Sequence, residues 1–315
     1  MASPRTVVVV NPKSQGGVVG RRWPYLADLI RRKVPFDEAI TTGPGDATLL
    51  ARKALRDGAE RVVALGGDGT INEVVNGFFD EGAPVAQDAA LGVLPYGTGG
   101  DFRRTLGLPT DFEAAVDILA ADHRRRIDVG RLDYATRDGG HGLRMFINIA
   151  SIGVPAVVDR FINKSSKRLG GRISFMVATA RAAFEYENQR IHLRFDGKPE
   201  RSVDLTINTV AIANGRYFGG GMFIAPKAEL DDGAFDVVAL GDFSRWDMLK
   251  DGHRLYTGRH IGRDKVTHRR ASRIDAEPTS PSQIVELDVD GETPGILPAT
   301  FRLLPLALSV VVPRQ

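Results

Sequence analysis

A glycine-rich turn set between a strand-like run and a helix-like run constrains this chain more than any other feature. Residues 61–65 form an apolar run with the character of a buried strand, and residues 71–79 space their apolar side chains as a helix does. Between them stand Gly66-Gly67-Asp68-Gly69-Thr70. Three glycines let the backbone approach a ligand closely, with amide N–H groups and a helix N-terminus aimed at it, which is the chemistry of a phosphate seat. A carboxylate in such a seat repels phosphate unless a cation intervenes. Asp68 therefore narrows the expectation to a nucleotide polyphosphate accompanied by Mg²⁺.

The surrounding chain agrees with an α/β arrangement. Residues 6–10 read as a strand that runs into the polar loop Asn11-Pro12-Lys13-Ser14-Gln15-Gly16-Gly17, with a helix expected over 23–32. A strand over 36–41, a helix over 46–57 and a strand over 90–95 complete the alternation expected of a mainly parallel sheet. Three strand ends carry small polar loops, and the carboxyl ends of strands are where open α/β sheets bind ligands. After about residue 127 the texture changes to alternating strands with glycine turns, at 128–134, 145–150, 191–196, 203–213, 235–240 and 285–289. This pattern reads as an antiparallel sheet or sandwich, interrupted by one helical stretch at 173–187. Residues 276–282, with two prolines, read as a loop.

Composition closes off several chemistries. The 315 residues contain no cysteine, which excludes disulfides, thiolate zinc sites and thiol catalysis, and permits a reducing cytosol. No apolar run reaches membrane-spanning length, and the four valines after Thr6 are too few for a signal-peptide core, so a soluble protein is expected. Net charge is +3, with basic residues clustered at 21–22, 31–33, 103–104, 124–126, 164–172 and 268–270. Aromatic interleaving and a recognition helix are missing, which argues against nucleic acid. An anionic membrane surface or plain solvation accounts for such clusters.

Neither a Walker A loop nor a dinucleotide fingerprint is present: Gly16, Gly17 and Gly20 are not followed by Lys-Ser or Lys-Thr, and residues 97–100 lack the required glycine spacing. Taken together, Asn11-Pro12, the turn at 66–70 with Asn72-Glu73 behind it, and Pro95-Tyr96-Gly97-Thr98-Gly99-Gly100-Asp101-Phe102 resemble the diacylglycerol kinase catalytic domain. The likeness is strongest to soluble bacterial lipid kinases, relatives of sphingosine and ceramide kinases. It continues through Asp128-Val129-Gly130, Asn214-Gly215, residues 225–233 and Asp290-Gly291-Glu292, and so covers nearly the whole chain.

The resemblance implies a nucleotide-binding α/β domain over 1–128, a β-sandwich over 129–302 and a terminal strand at 303–315 returning to the first domain, with the active site in the cleft between domains. It implies ATP and Mg²⁺, with Asn11, Pro12, Lys13, Ser14, Gln15, Thr41, Gly66, Gly67, Asp68, Gly69, Thr70, Asn72, Glu73 and Thr98 at the nucleotide. Asp68, Asp128 and Asp290 would form an acidic network, and Glu292 or Asp290 would accept the proton of a lipid hydroxyl. A structural Mg²⁺ would use Asp232 with backbone oxygens near Glu229 and Ala234. It further implies a cytoplasmic enzyme in transient contact with the inner membrane surface, and is compatible with a homodimer. Phosphoryl transfer needs positioning, charge neutralisation and a proton acceptor, so carboxylates with Mg²⁺ suffice.

Competing readings keep their place. Asp290-Gly291 and Asp232-Gly233 are also strong plain turn signals, and Asp128 also reads as a strand-start residue paired with Arg131. The acceptor is expected to be diacylglycerol, with a ceramide or sphingoid base as the near alternative. An NAD kinase is the alternative of another class, and a non-catalytic sensor a third. One departure stands out: Gly100 occupies the place where the family usually has Asn, which is expected to alter nucleotide affinity. Phe161, Phe175, Met176 and Phe184 are candidates for an acceptor pocket, with core packing as the competing role.

Overall fold

Four consecutive valines leave a strand no polar face, and the structure seals them: Val7 is 7% exposed and Val8, Val9 and Val10 are 0% exposed in β1 (Thr6–Val10). The computed structural model describes residues 4–97, 100–154 and 186–314, which divide into two compact units, 1–129 with 305–315 and 130–304.

In the first unit β1 is followed by α1 (Ser14–Arg31), β2 (Asp37–Ile40), α2 (Asp46–Arg56), β3 (Arg61–Gly66) and α3 (Asp68–Gly77). A small hairpin, β4 (Phe79–Asp80) and β5 (Ala83–Pro84), leads to β6 (Ala90–Pro95), α4 (Asp101–Leu106) and α5 (Phe112–Ala121). The strands pair in parallel in the order β2-β1-β3-β6. β1, β3 and β6 are buried and read as near-continuous apolar runs, as interior parallel strands do, whereas the edge strand β2 is largely exposed. One face packs Val8, Val10, Val63 and Leu65 against Val19 and Ile30 of α1 and Val116 and Leu119 of α5. On α2 and α3 small residues permit close approach, since a Cβ on Gly77 would fall 2.6 Å from that of Ala51. The first strand residue of β3, Arg61, is 2% exposed and donates to Thr6 Oγ1 (3.1 Å), the Leu119 carbonyl (2.8 Å) and Asp122 Oδ1 (2.9 Å), so its charge is buried but paired.

The second unit holds the end of β7 (Arg124–Ala135), then β8 (His141–Phe146), β9 (Ile149–Gly153), β10 (Gln189–Phe195), β11 (Ser202–Ile207), β12 (Thr209–Ala213) and β13 (Phe235–Leu240). A short helix α6 (Arg245–Asp251), β14 (Val266–Ala271), β15 (Arg273–Pro278), β16 (Leu287–Val289) and the long β17 (Ile296–Val311) follow. One antiparallel sheet runs β14-β13-β12-β9-β16, and the other pairs β11, β10, β15 and the first part of β17. Their inner faces share one core, with Leu193, Phe195, Ile274 and Phe301 from one sheet and Ile152, Ile212 and Val237 from the other. That is a β-sandwich. The end of β17 belongs to the first unit, where Ser309 and Val310 pair in parallel with Ala90 and Leu91 of β6.

Several expected elements are drawn differently. The span of α1 reaches back to Ser14, but Gln15, Gly16 and Gly17, at φ 51, 64 and 86°, make a left-handed turn that kinks it, so the regular right-handed helix begins only after Gly17. Residues 203–213 form two strands in different sheets, hinged at Asn208, whose N–H reaches the carbonyls of Leu240 (2.9 Å) and Gly241 (3.0 Å). The run at 145–150 likewise breaks between β8 and β9. The stretch expected as a loop from residue 276 continues as strand to Pro278. The expected helix at 173–187 and the aromatic candidates Phe161, Phe175, Met176 and Phe184 lie outside the described residues, apart from 186 and 187, which are in no helix.

Candidate functional site

Strand β3 ends at Gly66 and α3 begins at Asp68, with Gly67 between them in an extended conformation. Glycine is required here by close approach. A Cβ on Gly66 would sit 2.5 Å from Thr70 Oγ1, and one on Gly97 would sit 2.6 Å from the Cα of Gly67. The Tyr96 N–H donates to the Gly66 carbonyl at 2.8 Å, so the turns after β3 and β6 are pressed together. Part of the glycine content that suggested ligand access thus serves chain-to-chain packing.

Asp68 joins the same two turns through its side chain. Its Oδ2 accepts from the N–H of Gly100 (2.9 Å) and Asp101 (3.3 Å), and its Oδ1 lies 3.4 Å from the N–H of Phe102. Around it, Asn11 Nδ2 donates to Thr70 Oγ1 (3.0 Å) while Asn11 Oδ1 accepts from the Lys13 N–H (3.0 Å). Lys13 Nζ reaches the Thr42 carbonyl (3.0 Å), and Gln15 Nε2 reaches the Gly97 carbonyl (3.4 Å). Ser14 N–H bonds the Asn11 carbonyl (3.1 Å), Gly20 N–H the Pro12 carbonyl (3.0 Å), and Thr41 N–H the Val10 carbonyl (2.9 Å). Asn11, Lys13, Gln15, Gly66, Gly67, Asp68, Gly69 and Thr70 are therefore collected at the carboxyl ends of β1, β3 and β6.

Two residues expected at the nucleotide are otherwise engaged. Glu73 accepts from the N–H of Gly45 (3.0 Å) and Ala47 (3.2 Å), capping the exposed amides at the start of α2. Asn72 is 1% exposed, and its carbonyl and Oδ1 accept from Asn76 Nδ2 at 2.9 and 3.2 Å. Thr98 lies outside the described residues. Sequence reasoning passed over Asp101, which is 7% exposed, supplies an amide to Asp68 and accepts from Arg104 Nη1 at 2.6 Å. Its signal was available in the same 95–102 block.

The other expected carboxylates are also bound to backbone amides. Asp128 is 0% exposed, and its Oδ1 accepts from the Leu306 N–H at 2.7 Å, where Leu306 has φ 48°. In the second unit Asp290 and Gly291 have φ 49 and 89°, and Val289 and Glu292 exchange both backbone bonds (2.8 and 3.0 Å). This is a two-residue hairpin turn, as the plain reading anticipated, and Asx-Gly is the pair that such a turn prefers. The Asp290 side chain does more than turn: Oδ1 accepts from the Ile149 N–H (2.9 Å) and Oδ2 lies 3.4 Å from the Ile147 N–H. Asn214 Nδ2 holds the Ile147 carbonyl (2.9 Å) and Asn148 Nδ2 the Tyr217 carbonyl (2.9 Å), which steadies the segment that receives Asp290. Glu292 is 48% exposed with its Oε2 3.8 Å from Arg144 Nη2.

Among the described residues no three His, Asp or Glu side chains are grouped to hold a metal. Mg²⁺ with a nucleotide does not need such a group, because one or two carboxylates and the substrate phosphates complete its shell. Asp68 fits that role, its Oδ1 having among the described residues only the 3.4 Å contact. The residues expected for a structural Mg²⁺ do not fit as placed. Asp232 Oδ1 accepts from the Ala234 N–H (3.2 Å), its Oδ2 is bound by the Arg270 guanidinium, and Glu229 points to solvent.

Residues 5–132 match the Diacylglycerol kinase catalytic domain, and residues 148–312 match the YegS C-terminal NAD kinase beta sandwich-like domain. Diacylglycerol kinases of Bacillus subtilis (28% identical, 99% of this chain and 97% of the relative) and Mycobacterium tuberculosis strain H37Rv (29%, 99% and 96%) are similar over their full length. Among solved structures, a Bacillus anthracis chain has a TM-score of 0.77 at 24% identity, covering 98% of this chain and 95% of that one. Yeast NADH kinase shares the fold at a TM-score of 0.55 and 12% identity, covering 100% and 85%.

Proposed function

The chain belongs to the diacylglycerol kinase family, and on that premise we propose that it transfers the γ-phosphoryl group of ATP to a lipid hydroxyl, with diacylglycerol as acceptor and phosphatidic acid as product. The observation that carries the proposal is the Asp68 turn, clamped to the amides of residues 100–102 and bordered by Asn11, Lys13, Gln15 and Thr70. In the reaction the acceptor oxygen bonds to the γ-phosphorus, the bond from that phosphorus to the β–γ bridging oxygen breaks, and the hydroxyl proton passes to a carboxylate. The first unit's loop residues seat the phosphates, and Lys13 offsets their charge. Mg²⁺ bound with the nucleotide would neutralise the β- and γ-phosphates, with Asp68 as its protein ligand. Glu292, half exposed and beside Arg144, is the proposed proton acceptor, and Asp290 fixes the hairpin that presents it.

Among the described residues no helix is long and apolar enough to cross a membrane. We place the enzyme at the inner membrane surface by transient contact, with its basic clusters meeting anionic lipid. The test is transfer from labelled ATP to diacylglycerol, ceramide, sphingosine and monoacylglycerol in mixed micelles, with NAD as the soluble control. Labelled phosphatidic acid supports the proposal. Labelled ceramide or sphingosine phosphate moves the acceptor class, and labelled NADP hands the assignment to an NAD kinase.

A further inference from the structure

We propose that the guanidinium of Arg270 is a built-in cation for the 229–234 loop, and that this loop takes no divalent ion. Strands β13 and β14 pair with Asp236 opposite Arg270 and Val238 opposite His268. Strand period sorts the side chains of β14 to alternate faces. Thr267 and Arg269 border an apolar cavity of about 50 Å³ with Leu193, Phe195 and Val237, and the Arg269 guanidinium carbon sits 5.3 Å from the Phe195 ring centroid. His268 and Arg270 take the opposite face, where both meet Asp236: His268 Nε2 bonds Oδ1, and Arg270 Nε lies 3.7 Å from Oδ2. The other arm of Arg270 bonds Asp232 Oδ2. Its own carbonyl is held by Arg201 Nη2 at 2.8 Å, which anchors the strand at this point.

The carboxylate that a metal would need here is thus spent on protein donors. Asp232 uses one oxygen on Arg270 and the other on the Ala234 amide, and the neighbouring Ala228 carbonyl accepts from Arg216 Nε at 2.8 Å. Mg²⁺ demands six oxygens in near-octahedral order and gives up water reluctantly, so it competes poorly for a carboxylate with one oxygen on a guanidinium and the other on a backbone amide. Asp236 adds a reason for Arg270 to stay. Its side chain is 1% exposed and its Oδ2 has no hydrogen-bond partner among the described residues, so the nearby guanidinium charge compensates a buried carboxylate.

The experiment is thermal unfolding of the full chain without nucleotide, in millimolar MgCl₂ and in EDTA, for wild type, Asp232→Asn, Arg270→Lys and Arg270→Met. The expected wild-type Tm is the same in both buffers. Arg270→Met melts about 2–4 °C lower in EDTA, and MgCl₂ restores part of that loss because the vacated Asp232 oxygen becomes available. Arg270→Lys, which keeps a charge, stays metal-independent. A wild-type Tm that rises in MgCl₂, with the rise abolished by Asp232→Asn, overturns the proposal; a rise that survives Asp232→Asn places the ion elsewhere and supports it. An Arg270→Met protein as stable as wild type in EDTA also overturns it. If Arg270→Met does not fold, the wild-type and Asp232→Asn arms still decide. No arm depends on catalysis, so this test and the kinase test fail separately.

Discussion

Asp68→Asn preserves the shape of the side chain and removes its charge, which separates its observed role as clamp from its proposed role at the nucleotide. Oδ2 takes the shorter contacts, 2.9 Å to Gly100 N and 3.3 Å to Asp101 N, while Oδ1 takes only the 3.4 Å approach of Phe102 N. An asparagine that turns its carbonyl towards Gly100 and Asp101 keeps both of the better bonds. Its amide nitrogen then faces the Phe102 N–H, donor to donor, and the charge assistance is lost. The expected destabilisation is about 1 kcal/mol. Asp68→Ala strands all three amides and is expected to cost about 2–3 kcal/mol, moderated by water because the site is only partly buried. Catalysis should respond differently. Both variants delete the anion proposed to act beside the nucleotide, and a loss of several kcal/mol of transition-state stabilisation is expected to lower kcat by about 10²–10³ in each. Urea unfolding and labelled-ATP transfer on the same preparations give both numbers. If the asparagine variant kept kcat within about threefold of wild type while the alanine variant lost stability, Asp68 would be only the clamp of the 100–102 turn.

Four further expectations are open to measurement. Gly100→Asn should fold, because asparagine tolerates the φ of 66° and its Cβ would be 3.0 Å from the movable Arg103 Nε; it should change the Michaelis constant for ATP, and an unchanged constant would sink the idea that Gly100 sets nucleotide affinity. Glu292→Gln should lower kcat by about 10²–10⁴ with little effect on melting, since the side chain is half exposed; a variant with full activity would remove it as proton acceptor. Burial alone would raise the pKa of Asp275, but hydrogen bonds from Arg273, Thr300 and Arg194 and the Arg273 charge hold it below its ordinary 3.8. A depressed carboxylate stabilises the fold fully above its unfolded value and ceases to as pH falls through its folded value, so melting temperature should drop below pH 3.8 and Asp275→Asn should flatten that drop. Activity on anionic vesicles should fall as salt rises, because screening shortens the reach of the basic clusters; a salt-independent rate would refute docking by charge.

What the sequence by itself determined is local. The apolar run at 61–65, the turn at 66–70 and the helical spacing behind it specify strand, turn and helix within one short stretch, and the structure contains all three. Asp290-Gly291 announces its hairpin for the same reason, since a two-residue turn needs only positive φ at two positions. The resemblance carried by the ordered motifs added the family, and with it both folds.

Tertiary structure decided what depends on partners distant in sequence. Residues 203–213 look like one strand because their apolar character is unbroken, yet Asn208 divides them between two sheets, and sheet membership is settled by pairing with strands elsewhere. β14, Val-Thr-His-Arg-Arg-Ala, looks like solvated basic surface until Asp236 and Asp232 are found on one side of it and Phe195 on the other. Glu73 sits in the nucleotide motif, but its carboxylate is claimed by amides of α2, 26 and 28 positions earlier. Motif order names residue types along the chain. Which backbone amide or guanidinium each carboxylate meets is fixed only when the chain folds back on itself, because hydrogen bonds and ion pairs act over a few ångströms whatever the sequence separation.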